Sequence, residues 1–290
     1  MIRLIGIAVG LVFSFVALLA FVIGAYTAAT DPAEPTAEHE FHLAPRALHL
    51  ASDGPFGKWD LQQLQRGYQV YKEVCSACHS LKYVAFRDLA QLGYTEAEVK
   101  AAAAEWTVPG IDPNTGETTT RPGTPTDYFP SPYPNDVAAS AANNNAVPPD
   151  LSLIAKARHN GAAYVHSLVT GYRDPNTFKI GDKVLKAEFP DFETPVGLYF
   201  NPYFPNLNLA MPPPLTTDGQ VTYADGTEAT VEQMSTDVAA FLTWTAEPTL
   251  IKRRETGWPV LGFLLFATVL AWFAKKSIWA AVKPKHSTPA

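Results

Sequence analysis

Cysteine is almost missing from this 290-residue chain: Cys75 and Cys78 are the only two. A disulfide-stapled scaffold is therefore excluded, since the one available bridge would join residues three apart and use up both thiols. Charge is sparse at 17%, and a net of −6 leaves no basic excess with which to hold nucleic acid, so no nucleic-acid partner is expected. No Arg- and Ser-rich transit segment opens the chain, which favours a bacterial protein. The alternating strand and helix pattern that surrounds a thioredoxin-like dithiol is also absent.

Charge-free runs stand near both ends. Arg3 precedes an apolar run from Leu4 to Ala25 that ends in Thr27-Ala28-Ala29. Positive end, apolar stretch and small residues come in the order of a secretory signal, and the run is also long enough to stay as a membrane-spanning helix. Either outcome exports the region C-terminal to it. The second run, Gly257 to Ala274, has Trp258 and Trp272 near its ends and Lys275 and Lys276 directly after it. At ~1.5 Å per residue it makes a helix of roughly 27 Å, a workable span when flanking residues snorkel. A buried core helix would be apolar along one stripe, whereas this run is apolar all round, and its tryptophans suit the interfacial belts.

Setting aside Arg3 and the seven basic and one acidic residues of 251–290 leaves 14 basic and 27 acidic residues in 31–250, a net of −13. Within this acidic region lies Cys75-Ser76-Ala77-Cys78-His79. Two cysteines three apart with histidine directly after the second form the attachment pattern for c-type haem: both thiols add to porphyrin vinyl groups as thioethers, and the histidine sits beside the iron. A redox dithiol and half a zinc site are the competing readings. Zinc would need two more ligands, and the remaining histidines include no pair partnered by cysteine. His39-Glu40-Phe41-His42 lacks the two residues between Glu and His that a zinc protease needs, and reads as surface histidines. One covalently attached haem c is the expected cofactor. Basic residues flank the C-terminal run on both sides, so charge counting barely orients it; the haem, which belongs with an exported domain, places the short basic tail on the cytoplasmic side.

Along the chain, residues 30–56 carry Asp31-Pro32, Glu34-Pro35 and Pro45 and read as an irregular approach. Asp60 and Gln63 have the spacing of a capping box for a helix on which Leu61, Leu64, Tyr68 and Tyr71 repeat. Gly67 sits inside it at a cost of about 1 kcal/mol relative to Ala, which a close crossing by another helix would explain. Thr230 and Gln233 form a second such box ahead of Met234, Val238 and Phe241. A meeting of Gly67 with Phe241 or Trp244 would close the two ends of the domain over the haem. Thr95 and Glu98 open a helix to about Trp106. Nine of the positions from Pro109 to Pro149 are proline, too many for a core helix or strand, so a long loop is expected to wrap a flat macrocycle. Asp150 is expected to cap a helix from Leu151 to Arg158, followed by Ala162 to Thr170. Residues 172–197 read as an irregular charged excursion, and Val221 to Thr227 as a hairpin turn around Asp225-Gly226.

What fills the sixth position of the iron separates an electron carrier from a gas-binding or catalytic haem. Met234 falls at a core-facing helix position. Met211 lies in Leu209-Ala210-Met211-Pro212-Pro213-Pro214, where prolines stiffen an extended backbone able to hold a thioether sulfur at iron. Met211 is the expected ligand opposite His79, giving a closed one-electron site. Were it a core residue instead, the chain would be an open-site haem enzyme or gas sensor.

The ordered motifs resemble the cytochrome c1 family, the haem subunits of cytochrome bc1 complexes, over about residues 55–282. They run from Gly67-Tyr68-Gln69-Val70-Tyr71 and the His79 motif through Arg121-Pro122-Gly123, Asp127-Tyr128-Phe129-Pro130 and Ala141-Ala142-Asn143-Asn144. Pro148-Pro149-Asp150-Leu151-Ser152, Ala157-Arg158-His159, Gly197-Leu198-Tyr199-Phe200-Asn201-Pro202, the Met211 loop and the anchor come after them in order. The resemblance implies a mainly α, class I cytochrome c-like haem domain with long irregular insertions and a C-terminal transmembrane helix. With the segments read above, the chain divides into a signal peptide or N-terminal span (1–29), the approach (30–56), the haem domain (57–250), the anchor (257–280) and a cytoplasmic tail (281–290). The resemblance implies a non-catalytic redox subunit in the bacterial inner membrane, in contact with membrane lipid, its haem domain periplasmic. The partners implied are a cytochrome b subunit in a dimeric complex, a Rieske iron–sulfur protein as donor, and a soluble or membrane-bound c-type cytochrome as acceptor. Arg121 matches the residue that meets a haem propionate. Two departures stand out: Asp112 and Glu117 are nearly alone where mitochondrial relatives carry a dense acidic loop, and 174–194 looks like an insertion. A tethered cytochrome serving another reductase is the alternative.

Overall fold

The computed structural model describes residues 2–31 and 34–282. Pro32 and most of the expected tail, 283–290, lie outside the described residues. The helices in chain order are α1 (Ile2–Thr30), α2 (Ala37–Phe41), α3 (Leu61–Val70), α4 (Glu96–Ala104) and α5 (Asp136–Ala142). Then come α6 (Ile154–Ala157), α7 (Gly161–Thr170), α8 (Leu185–Glu188), α9 (Val231–Ala246) and α10 (Leu250–Ala280). Strands occur only as antiparallel pairs among the described residues: β1 (Thr107–Ile111) with β2 (Thr118–Pro122), β3 (Lys179–Ile180) with β4 (Lys183–Val184), and β5 (Tyr199–Phe200) with β6 (Asn208–Leu209).

The domain is built on the crossing of α3 and α9 at Gly67. A Cβ placed on Gly67 would lie 2.1 Å from the Asp237 carbonyl oxygen and 2.6 Å from Phe241 Cβ. Only hydrogen fits, so the mid-helix glycine is what the close approach requires. Asp60 and Thr230 cap the two helices, accepting from Gln63 N and Gln233 N, both at 3.1 Å. The reciprocal half of both expected capping boxes is missing, because the two glutamine side chains turn to Asp237 Oδ1, at 3.2 and 2.8 Å. Asp237 is fully buried, and a carboxylate removed from water requires all the donors within reach. Arg66 supplies the cation, Nε to Asp237 Oδ2 at 2.8 Å, and also reaches Asp225 at 2.8 Å. With Asp225 drawn to Arg66, Val221 to Thr227 closes as a turn, Gly226 N on Tyr223 O at 3.3 Å, and no strands flank it. The expected hairpin is thus corrected to a turn.

Around the crossing, Tyr68 and Tyr71 each meet Phe129 and Phe241 with ring centroids 5.8 to 6.0 Å apart, edge-on or tilted. Each such pair adds about 0.5–1.5 kcal/mol to the burial of its area. Val74 and Cys75 pack against the same core, so the thiol-bearing loop is seated on it.

The Pro-rich run is not free of elements. β1 and β2 lie inside it with Pro109 and Pro122 in their strands, pairing Pro109 with Thr120 and Thr107 with Pro122. A two-stranded ribbon is all edge, so a residue without an N–H can be accommodated on its outer side. α5 also falls in this run, capped by Asn135 Oδ1 accepting from Ala138 N at 2.9 Å. The approach and the excursion, both read as irregular, fold onto each other: Ala37 and Phe41 of α2 form a second small core with Leu185, Phe200 and Leu207. Glu40 and Lys183 pair across it at 2.7 Å.

α1 has no buried residues. α10 starts at Leu250 and takes Lys252, Arg253 and Arg254 into the same helix as the apolar run, 31 residues in all or roughly 46 Å. Among the described residues, α1 and α10 are the two helices long and apolar enough to cross a membrane.

Candidate functional site

At Tyr71 the α3 helix widens into a π-helical turn, Tyr71–Cys75, marked by Ser76 N on Tyr71 O at 2.8 Å. Cys78 N and His79 N both return to the Cys75 carbonyl, at 3.1 and 2.9 Å. Two thiols and an imidazole are thereby confined to one short loop. Both cysteines are free and half-buried. Burial, with a smaller contribution from Cys78, pushes the Cys75 thiol up to about 12, so it stays protonated at neutral pH, unlike the activated thiolate of a redox dithiol. Among the described residues no three His, Cys, Asp or Glu side chains converge as a metal-binding group, so no ligands complete a zinc site on these cysteines.

His79 Nδ1 lies 2.8 Å from the Pro149 carbonyl oxygen. A carbonyl only accepts, so Nδ1 carries the proton and Nε2 keeps its lone pair, the state a metal-ligating imidazole needs. Burial lowers the ring's pKa against the opposing pull of the Pro149 carbonyl and Asp150, which favours the neutral form. Asp150, expected as a helix cap, instead ties down the loop after the motif. Its Oδ2 accepts from Ser80 Oγ at 2.7 Å and Lys82 N at 2.8 Å, its Oδ1 from Ser152 N at 3.0 Å. These donors occupy the carboxylate, and α6 begins only at Ile154, with no side-chain cap.

Met211 is half-buried in the loop after β6, and Tyr172 Oη donates to its carbonyl oxygen at 3.0 Å. One continuous segment, 149–172, therefore holds both candidate iron ligands: its first residue fixes His79 and its last fixes Met211. Met234 is fully buried within α9. The donor set, two free thiols, an imidazole with Nε2 available and a thioether on a tethered loop, fits a c-type haem. Tyr172→Phe removes one hydrogen bond, a net loss of about 0.5–1.5 kcal/mol, and should loosen the Met211 loop. In a pH titration of the ferric protein, the absorption band of thioether-bound iron should disappear at a pH lower by about one unit, since one unit corresponds to ~1.36 kcal/mol. An unmoved transition would show that the hydroxyl does not hold the loop.

Arg121, on exposed β2, grips Asp127 with two bonds, Nη1 to Oδ2 at 2.6 Å and Nη2 to Oδ1 at 2.7 Å. The guanidinium, helped by Thr124, holds the Asp127 carboxyl well below the usual carboxylate range. Arg121 is thereby tied to the loop that follows the motif, because Phe86 N and Arg87 N donate to the carbonyl oxygens of Asp127 and Pro125 at 3.0 and 2.7 Å. Sequence reasoning missed the roles of Asp127, Asp150 and Tyr172. Asp150-x-Ser152 carried the signal of an Asx turn; Tyr172 carried none.

Residues 50–282 match the sequence model described as the Cytochrome C1 family. The chain is 46% identical to "Cytochrome c1" of Rhodospirillum rubrum, over 79% of this chain and 85% of that protein. It is 43% identical to "Cytochrome c1-2, heme protein, mitochondrial" of Solanum tuberosum, over 90% and 93%. It is 47% identical to "Cytochrome b/c1" of Bradyrhizobium diazoefficiens over 78% of this chain, which spans 34% of that longer protein.

Proposed function

The chain belongs to the cytochrome C1 family, membrane-anchored, haem-carrying electron-transfer subunits of bc1 complexes. From that premise we propose that it carries one haem c, joined through Cys75 and Cys78 and ligated by His79 and Met211. Through this haem it relays single electrons from a Rieske iron–sulfur protein to a c-type cytochrome. The observation that carries this reading is the pairing of His79 Nδ1 with the Pro149 carbonyl beside two free thiols.

Bound there, haem would supply a one-electron iron couple. The residues of the chain do the rest. Cys75 and Cys78 would fix the group's position, and the Pro149 carbonyl keeps the His79 ring oriented and neutral. Met211, on its proline-stiffened loop, would be the second residue to hold the iron, and its soft sulfur would favour the ferrous state. Arg121 is the residue that would meet a propionate, with its charge already shared with Asp127. The net −13 of residues 31–250 steers a cationic acceptor, soluble or membrane-bound. α10 anchors the subunit beside cytochrome b in a dimeric complex of the bacterial inner membrane, with the haem domain periplasmic and residues 281–290 cytoplasmic.

Purification from detergent-solubilised membranes tests this. Cytochrome b and Rieske subunits should accompany the chain, and quinol should reduce its haem. A haem protein isolated without either subunit would point to a tethered cytochrome serving another reductase. Cys75→Ala should leave at most one thioether, seen as haem lost from the intact mass or as a shifted reduced spectrum. An unchanged spectrum with haem retained would contradict attachment through Cys75.

A further inference from the structure

The loop from Ala51 to Lys58 has no part in the haem site, yet it is tightly built. Lys58 N donates to Ala51 O at 2.9 Å and Asp53 N to Leu50 O at 3.0 Å, while Asp53 Oδ2 accepts from Leu50 N at 2.8 Å. Gly54 has φ +73°, and a Cβ on Gly57 would lie 2.3 Å from the Asp53 carbonyl oxygen. Both glycines are thus needed for the turn. The loop is fastened to the main core through Leu50 before it and Trp59 after it.

At its tip stands Gly54-Pro55-Phe56-Gly57, uncharged, with Phe56 79% exposed. That ring stacks on Trp258 of α10, centroids 5.6 Å apart and planes at 14°. Trp258 is itself half exposed and stands where the charge-free run begins. One turn earlier Arg254 donates to Ser52 O at 2.5 Å, so the loop is latched to the helix at two levels. Lys58, two residues after Phe56, and Lys252, two residues before Arg254, are both exposed.

We infer that this loop is a second membrane contact of the haem domain, with Phe56 and Trp258 together occupying the boundary between headgroups and acyl chains. An exposed aromatic pair, continuous with an apolar helix and with exposed lysines a few residues away along the chain, matches the amphipathic character of that layer. The lysines suit lipid phosphates. The loop ties the orientation of the haem domain to the membrane plane through a rigid turn rather than through the single connection at Leu250.

The inference rests on α10 spanning the membrane, and the test separates the two. Thioether attachment leaves the wild-type holoprotein without a free thiol, so Phe56→Cys in the full haem-bearing chain, reconstituted in phospholipid nanodiscs, offers one site for a nitroxide. Asn114→Cys, exposed in the β1–β2 turn, and Phe263→Cys, exposed on α10, are the references, and Pro55→Cys repeats the measurement at the neighbouring residue. Collisional accessibility is read with oxygen, which concentrates in lipid, and with a water-soluble nickel chelate. The ratio of oxygen to nickel accessibility should be several-fold higher at 56 and 263 than at 114. A water-like ratio at 56 with a lipid-like one at 263 overturns the inference alone. Water-like ratios at both remove the span and the inference together. Shielding of 56 from both reagents overturns it in favour of protein cover. More than one nitroxide per chain by intact mass would instead mean that Cys75 and Cys78 are not in thioethers, a failure of the haem reading.

Discussion

Met211→Ala is expected to lower the haem midpoint potential by on the order of 200 mV, a sizeable part of the roughly 0.8 V that axial ligation spans. It should also let the reduced protein bind carbon monoxide. A thioether stabilises ferrous iron relative to water or a second nitrogen ligand, so its removal favours the ferric state. The effect should be local, because the tie from Tyr172 goes to the backbone carbonyl of Met211 and survives the substitution. The loop is further stiffened by Pro212, Pro213 and Pro214. Redox titration of the purified variant checks this, and an unchanged potential would remove Met211 from the iron.

Gly67→Ala carries the largest expected loss of stability. The added methyl would sit 2.1 Å from the Asp237 carbonyl oxygen of α9 and 2.6 Å from the Phe241 Cβ there. Neither can rotate away, so the helices must part. Overpacking a core costs about 1–3 kcal/mol where side chains can adjust; with backbone as the obstacle at least about 3 kcal/mol is expected, against an intrinsic gain near 1 kcal/mol for alanine in a helix. Separation would also weaken the donors around buried Asp237. Set beside a typical stability of about 5–15 kcal/mol, this is a large fraction. α3 runs directly into the Cys75 loop, so haem incorporation should fall with stability. Denaturant unfolding of the holoprotein measures it, and a midpoint equal to that of wild type would show that the two helices have room between them for a methyl group.

Much of this was legible because it depends on local chemistry or on a single steric fact. Cys75, Cys78 and His79 announce themselves by spacing, and Gly67 by standing where glycine is costly. What could not be read depends on distant partners. Gln63 and Gln233 have the spacing of capping boxes, but a carboxylate buried between their helices outbids the backbone for both. Asp150 looks like a helix cap because a helix comes after it, yet Ser80 and Lys82, about seventy residues earlier in the chain, claim it. Tyr172 is one tyrosine among many until the fold brings it to the Met211 carbonyl. The prolines argued against core strands, yet β1 brings buried Val108 into the main core, because a two-stranded ribbon with both edges open is exempt from that rule.

The central claim is a closed, six-coordinate relay held by His79 and Met211, and carbon monoxide tests it most directly. The full-length protein, reduced in detergent or nanodiscs at neutral pH, should keep its Soret band unshifted under carbon monoxide, while Met211→Ala shifts. A wild-type protein that binds carbon monoxide tightly without denaturation would contradict the claim and make the site an open one.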